Sequence, residues 1–121
     1  MADYPIDEQQ LYLRTLKIAS LNDEVRRSFN HTVGMYVTTR SFTAEPKAVQ
    51  RILIKKIREF EDFDEANDPY HEHDTGIVTH LGRNAMFKID YYDKNVEGGS
   101  PDPSDPTVTQ RVMTVMLTHE Y

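Results

Sequence analysis

From Asp7 onward, apolar side chains recur at helical spacing. Tyr12, Leu16 and Ala19 fall at i, i+4 and i+7, and Ile18, Leu21, Val25 and Phe29 extend a neighbouring stripe. Asp7 is suited to cap such a helix, and Glu8 in its first turn complements the positive end of the helix dipole. Ser20 followed by Asp23 can restart a helix, so the pattern predicts one long helix or two short ones, ended by Asn30-His31. Thr32 to Phe42 changes character. Val33, Met35, Tyr36, Val37 and three threonines make a β-branched run that predicts a strand. Thr43 then caps a second helix, with Pro46 in its first turn, where a missing N–H costs little. Ala48 or Val49, Ile52, Leu53, Lys56 or Ile57, and Phe60 supply its apolar stripe.

The segment 61–74 has neither period and contains Asn67-Asp68-Pro69, which reads as a loop. Gly76 to Leu81 and Ala85 to Tyr92 read as two strands, with Gly82-Arg83-Asn84 as the hairpin turn between them. Glycines and prolines make 93–107 a second loop. After Asp105-Pro106, Val108, Val112, Val115 and Met116 match helical spacing, although the richness in Val and Thr also suits a strand; the helix is the expectation. The order α-β-α-β-β-α predicts an α+β fold over residues 1–121 as a single domain: a small antiparallel sheet of about three strands packed by helices on one face.

Composition narrows the setting. The chain has 121 residues, 38% of them hydrophobic and 28% charged, enough for one core without staples. It has no cysteine, which removes disulfides and thiol chemistry and suits a reducing, cytoplasmic compartment. No stretch approaches the roughly 18 apolar residues that span a bilayer, and Met1-Ala2-Asp3-Tyr4-Pro5 is too acidic and polar for a secretory signal.

The net charge of −6 is unevenly spread. Between Glu59 and Asp74 lie Glu59, Glu61, Asp62, Asp64, Glu65, Asp68, Glu72 and Asp74, with no Lys or Arg among them. Asp90, Asp93, Glu97, Asp102 and Asp105 follow against the single Lys94. Such a surface repels phosphate, so direct nucleic-acid binding is not expected. Arg51, Lys55, Lys56 and Arg58 read as the solvated face of one helix.

His71-Glu72-His73-Asp74 is the sharpest candidate for chemistry. In extended backbone His71 and His73 would share a face, and Asp90, Asp93 or His80 on the hairpin would complete a first-row metal set. The spacing differs from the helical arrangement in which i, i+4 histidines meet. An EF-hand beginning at Asp62 fails, since Asn67 stands where glycine is required and His73 where the bidentate Glu belongs. Acid–base work by Glu72, His73, Asp74, Asp90 and Asp93 needs the loop to fold over the hairpin; otherwise His73 and Asp74 simply tie it down. No serine sits in a nucleophile elbow, no glycine-rich loop opens a helix, and Gly98-Gly99-Ser100 reads as a turn. No cofactor is expected.

Several blocks carry a resemblance when read together: Leu21-Asn22-Asp23, the run Asn67 to Gly76, Lys88-Ile89-Asp90-Tyr91-Tyr92-Asp93, Gly99 to Pro106, and Arg111 to Leu117. Over roughly residues 18 to 121 the chain resembles a bacterial domain-of-unknown-function family. Its members are short proteins often carried on plasmids and other mobile elements. The resemblance implies no activity and no catalytic residue. His71 stands where that family usually has glycine, and Phe87 where it usually has tryptophan. The expectation is a small acidic binding or accessory protein that acts on a protein partner, for instance as an inhibitor of a host nucleic-acid-binding defence protein. Its surface would be Asp62, Asp64, Asp68, Glu72, His73, Asp74, Asp90 and Asp93. The alternative is a metal-dependent hydrolase-like site built from His71, His73, Asp90 and Asp93.

Overall fold

The computed structural model describes residues 3–120; Met1, Ala2 and Tyr121 lie outside them. The apolar stripe from Asp7 forms one continuous helix, α1 (Asp3–Ser28). Arg26 and Arg27 in its last turn favour the negative end of its dipole. Phe29, at φ 46°, ends it in the left-handed conformation common after a helix C-terminus.

The predicted strand over 32–42 shrinks to β1 (Met35–Thr38). Thr39 stops it by capping a short helix α2 (Arg40–Thr43), where its hydroxyl accepts the Phe42 N–H. Thr43 therefore ends a helix rather than opening one. Pro46 takes the N-cap position of α3 (Lys47–Arg58), whose buried stripe is Val49, Leu53 and Ile57.

The hairpin is present as β2 (Thr75–His80) and β3 (Arg83–Tyr92). Its turn is the pair Leu81-Gly82, both with positive φ (52° and 76°), one residue earlier than the glycine-led turn expected. Two left-handed central residues match the right-handed twist of the flanking strands. Residues 110–117 are not helical but form β4 (Gln110–Leu117), followed by a short 3₁₀ turn (Thr118–Glu120). The reason lies in its position. β4 lies between β1 and β3 in the order β1-β4-β3-β2, and Val112 and Met116 on one face are buried as well as Met113, Val115 and Leu117 on the other, so the alternation expected of a half-exposed strand is lost. A spacing of four, as at Val108, Val112 and Met116, satisfies a helix and a strand equally.

The fold is thus α+β, as expected, but its sheet has four strands and is mixed. β1 runs parallel to β4, while β3 is antiparallel to both β2 and β4. Register places Tyr36, Val78, Ala85, Phe87, Ile89, Met113, Val115 and Leu117 on one face. Against that face pack Val25 of α1, Phe42 of α2, and Leu53 and Ile57 of α3, forming one core. Phe60, just past α3, meets Phe87 edge to face at 5.7 Å. Gly76 faces these two rings, and a Cβ there would lie 2.7 Å from both. The rings are locked by their neighbours, so neither can move aside cheaply. Gly76→Ala should therefore cost about 1–3 kcal/mol by overpacking, read as a lower urea midpoint with an unchanged m value.

Candidate functional site

The acidic segment after α3 is an ordered loop whose sequence alternates in purpose. Phe60 is buried and Phe63 half-buried, whereas Glu59, Glu61, Asp62, Asp64 and Glu65 are exposed. Two aromatic anchors thus hold a run of carboxylates outward. Asp64 shapes the turn, its Oδ1 accepting the N–H groups of Ala66 and Asn67, both at 2.9 Å. Asn67 returns the favour by accepting the Asp64 N–H and donating to the Asp62 carbonyl.

Asp68 behaves differently. It is only 3% exposed, and its Oδ1 accepts the N–H groups of Glu72 and His73 at 3.1 and 3.2 Å. A carboxylate satisfied by backbone donors is a structural cap, not part of a binding surface. His73 stacks on Phe63 with ring centroids 4.0 Å apart, and its Nδ1 lies 3.0 Å from the Asp23 carboxylate on α1. Its Nε2 is 3.8 Å from Asp68. His73 therefore pins the loop to α1.

Beneath the loop lies a buried polar network. Asn22 of α1, fully buried, donates from Nδ2 to the Glu72 carbonyl at 2.9 Å and to the Tyr91 hydroxyl oxygen at 2.8 Å. Its Oδ1 accepts from Arg111 Nε of β4 at 2.7 Å. The Tyr91 hydroxyl donates to the Glu72 carboxylate at 2.7 Å, and the Arg111 guanidinium lies over the Tyr91 ring at 5.0 Å while donating to the Pro103 carbonyl. Burial, followed by the neighbouring Glu72, holds the Tyr91 phenol protonated far above its ordinary value. A second buried arginine, Arg26, donates to the Phe60 carbonyl at 3.0 Å and to Asp23 at 3.2 Å, with its guanidinium near the Phe63 and Phe87 rings. Burial lowers the pKa of both arginines.

The sequence-predicted residues thus divide. Asp62 and Asp64 are exposed on the loop, whereas Asp68, Glu72 and His73 are engaged inward. Asp74 is half-buried, and burial first, then Glu72, Asp68 and Asp90, raises its carboxyl above the ordinary 3.8. Asp90 pairs with Lys88 at 2.7 Å. Asp93 accepts the N–H groups of Asn95 and Glu97 in the following turn.

His71 and His73 do not share an extended face. Both have left-handed backbone, at φ 60° and 58°, and their partners differ, with His71 reaching the exposed Glu65 at 3.9 Å. The φ at His71 is one that glycine adopts without strain. His80 lies at the turn end of β2, opposite Arg83. Among the described residues no group of three or more His, Asp and Glu is placed to hold a metal ion.

Sequence reasoning passed over Asn22, Asp23, Arg26 and Arg111 as site residues. The available signals were an Asn-Asp pair inside an apolar helical stripe and a lone arginine leading the run Val112 to Leu117.

Helices on one face of a mixed four-stranded sheet, with an acidic loop locked over a polar core, define the class as a small α+β domain. A family model described as protein of unknown function (DUF3768) matches residues 38–120. The chain belongs to that family. The match begins in β1, so α1, which supplies Asn22, Asp23 and Arg26, lies outside it. No curated protein and no solved structure matches the chain.

Asn22→Ala should orphan the Arg111 Nε and remove the donor to Tyr91, costing about 3 kcal/mol through buried groups left unpaired; a urea titration measures it. Asp74→Asn should act in the opposite sense. The folded state raises this carboxyl, so its ionisation opposes folding above the folded pKa and has no effect below the unfolded one. The variant should melt higher than the parent at neutral pH, and that advantage should vanish as the pH falls through 3.8.

Proposed function

We propose that the chain is a non-enzymatic binding protein that uses the loop after α3 to occupy a cationic surface on a protein partner. One observation supports this reading above others. Phe60 and Phe63 anchor the loop from within, leaving Asp62 and Glu65 to present carboxylates outward on a backbone cross-linked by Asp64 and Asn67, while the exposed Glu59 and Glu61 pair with Lys55 and Arg27. A loop ordered before it binds loses little entropy on binding, and its charges face the partner from the first encounter. The binding surface in this proposal is narrower than the acidic composition implies. Asp64, Asp68, Glu72, His73, Asp74, Asp90 and Asp93 serve the fold or sit at its margin, whereas Asp62 and Glu65 carry recognition.

A nucleic-acid-binding protein is the partner whose chemistry fits, because its groove already holds Lys and Arg spaced to neutralise phosphates. The plasmid or mobile-element setting implied by the resemblance makes a host defence protein the natural target, with inhibition the result of occupying its groove.

The test is capture from a bacterial extract on immobilised protein, alongside the double variant Asp62→Asn, Glu65→Gln. Captured proteins should be nucleic-acid binders, should elute with salt or competing DNA, and should be lost from the variant. Capture that the variant retains, or that salt leaves untouched, removes the reading.

A further inference from the structure

Two exposed features of the chain complement each other, and each is only sparsely engaged within it: Arg14 of the first pairs with Asp102, and Arg27 and Lys55 of the second pair with Glu61 and Glu59. The first is the N-terminal half of α1. Residues 18–28 of that helix reach the core, but between Asp7 and Lys17 no side chain is buried. Leu11, Tyr12, Leu13 and Leu16 are 61%, 65%, 62% and 48% exposed. Single exposed apolar residues are ordinary; Tyr12, Leu13 and Leu16, joined by i, i+3 and i, i+4 spacing, form a patch of the kind that marks an interface, with Leu11 off to one side. Asp7 and Glu8 extend this arm with exposed negative charge.

The second is a cleft of about 700 Å³ between α3 and the C-terminal end of α1. Ile54, half-buried, contributes an apolar surface to it, and Lys47, Arg51, Lys55 and Arg58 of α3 and Arg27 of α1 surround it with cations. The spacing i, i+4, i+8, i+11 puts those four α3 cations on one face of the helix. Lys55 and Arg27 are partly neutralised by Glu59 and Glu61. Among the described residues neither Lys47 nor Arg51 has an ion-pair partner. The stems of these long side chains add apolar surface beneath the charges.

We propose that the chain forms a homodimer in which the α1 arm of each copy lies in the α3 cleft of the other. The lengths agree: the arm from Asp7 to Lys17 spans about 16 Å and α3 about 18 Å at 1.5 Å per residue. The arm as a whole is neutral, with Asp7 and Glu8 balanced by Arg14 and Lys17, but its acidic first turn is matched by the unpaired Lys47 and Arg51 of the cleft. The reciprocal exchange closes on itself, because each copy offers one arm and one cleft, and a two-fold dimer satisfies all four surfaces. Nucleic acid fits the cleft less well. No aromatic side chain lines it for stacking on bases, and the chain as a whole carries −6.

Sedimentation equilibrium of the purified full chain, from micromolar to millimolar concentration, tests this without any partner protein and so independently of the acidic-loop reading. The expected mass is twice the 14.1 kDa of the chain. Leu13→Ser with Leu16→Ser should raise the dimer dissociation constant at least about tenfold, and Lys47→Glu with Arg51→Glu should do the same. All four positions are exposed, and circular dichroism should confirm that the helices persist. Asp7→Lys with Glu8→Lys should also weaken the dimer, yet combining it with Lys47→Glu and Arg51→Glu in one chain should restore most of the affinity. A monomer throughout the range overturns the proposal. So does a dimer indifferent to the cleft variants, or a combined variant no tighter than its parents.

Discussion

Asn22 ties helix α1 to the sheet and to the acidic loop through a buried set of polar contacts. One side chain of three polar bonds joins α1 to the Glu72 carbonyl of the loop, the Tyr91 hydroxyl of β3 and the Arg111 guanidinium of β4. Each of those groups is then committed elsewhere, Tyr91 to the Glu72 carboxylate and Arg111 to the Pro103 carbonyl. A buried network of this kind is stabilising only when it is complete, because every unpaired member would retain its full desolvation penalty. The apolar core sets how tightly α1 packs; the network sets where along the sheet it packs. Both the acidic loop and the loop containing Pro103 derive their positions from it.

The same economy explains why so much of the acidic composition is inward-looking. Asp68 satisfies two loop N–H groups, Asp23 holds His73 and Arg26, and Asp93 organises its own turn. Carboxylates spent on backbone donors and buried cations are not available to a partner. What remains outward is a short ledge after α3, kept in shape by Phe60 and Phe63 beneath it.

Local elements were legible in the sequence wherever a single period governed them. The α3 stripe of Val49, Leu53 and Ile57 and the β2–β3 hairpin follow directly from spacing and turn chemistry. β4 was not legible because Val112 and Met116 are buried on one face as Met113 and Val115 are on the other, and its four-residue spacings fit a helix as well. β1 was over-extended because Thr39 to Phe42 has strand-like composition, yet Thr39 caps a helix instead. The candidate site was less legible for a different reason. Whether an aspartate is exposed like Asp62 or buried like Asp68 depends on contacts distant in sequence, and Asn22 meets Arg111 across 89 residues. The pairing of His71 with His73 failed because it assumed extended backbone, and both adopt left-handed φ.

The central placement of β4 has a consequence for how the chain reaches this state. Met35 of β1 pairs with Val112, and β3 pairs with the same strand along its length from Ala85 to Tyr92. Until β4 arrives, β1 has no neighbour and β3 has only β2, so the earlier part of the chain can form helices and a hairpin but no sheet. Closing so long a loop delays the rewarding contacts, which slows folding relative to a helical bundle of equal size. During that delay the exposed backbone edges of β1 and β3 offer pairing sites to other nascent chains. Helix α1, whose residues precede the rest and need no strand to form, is the element best placed to shield apolar surface in the interval.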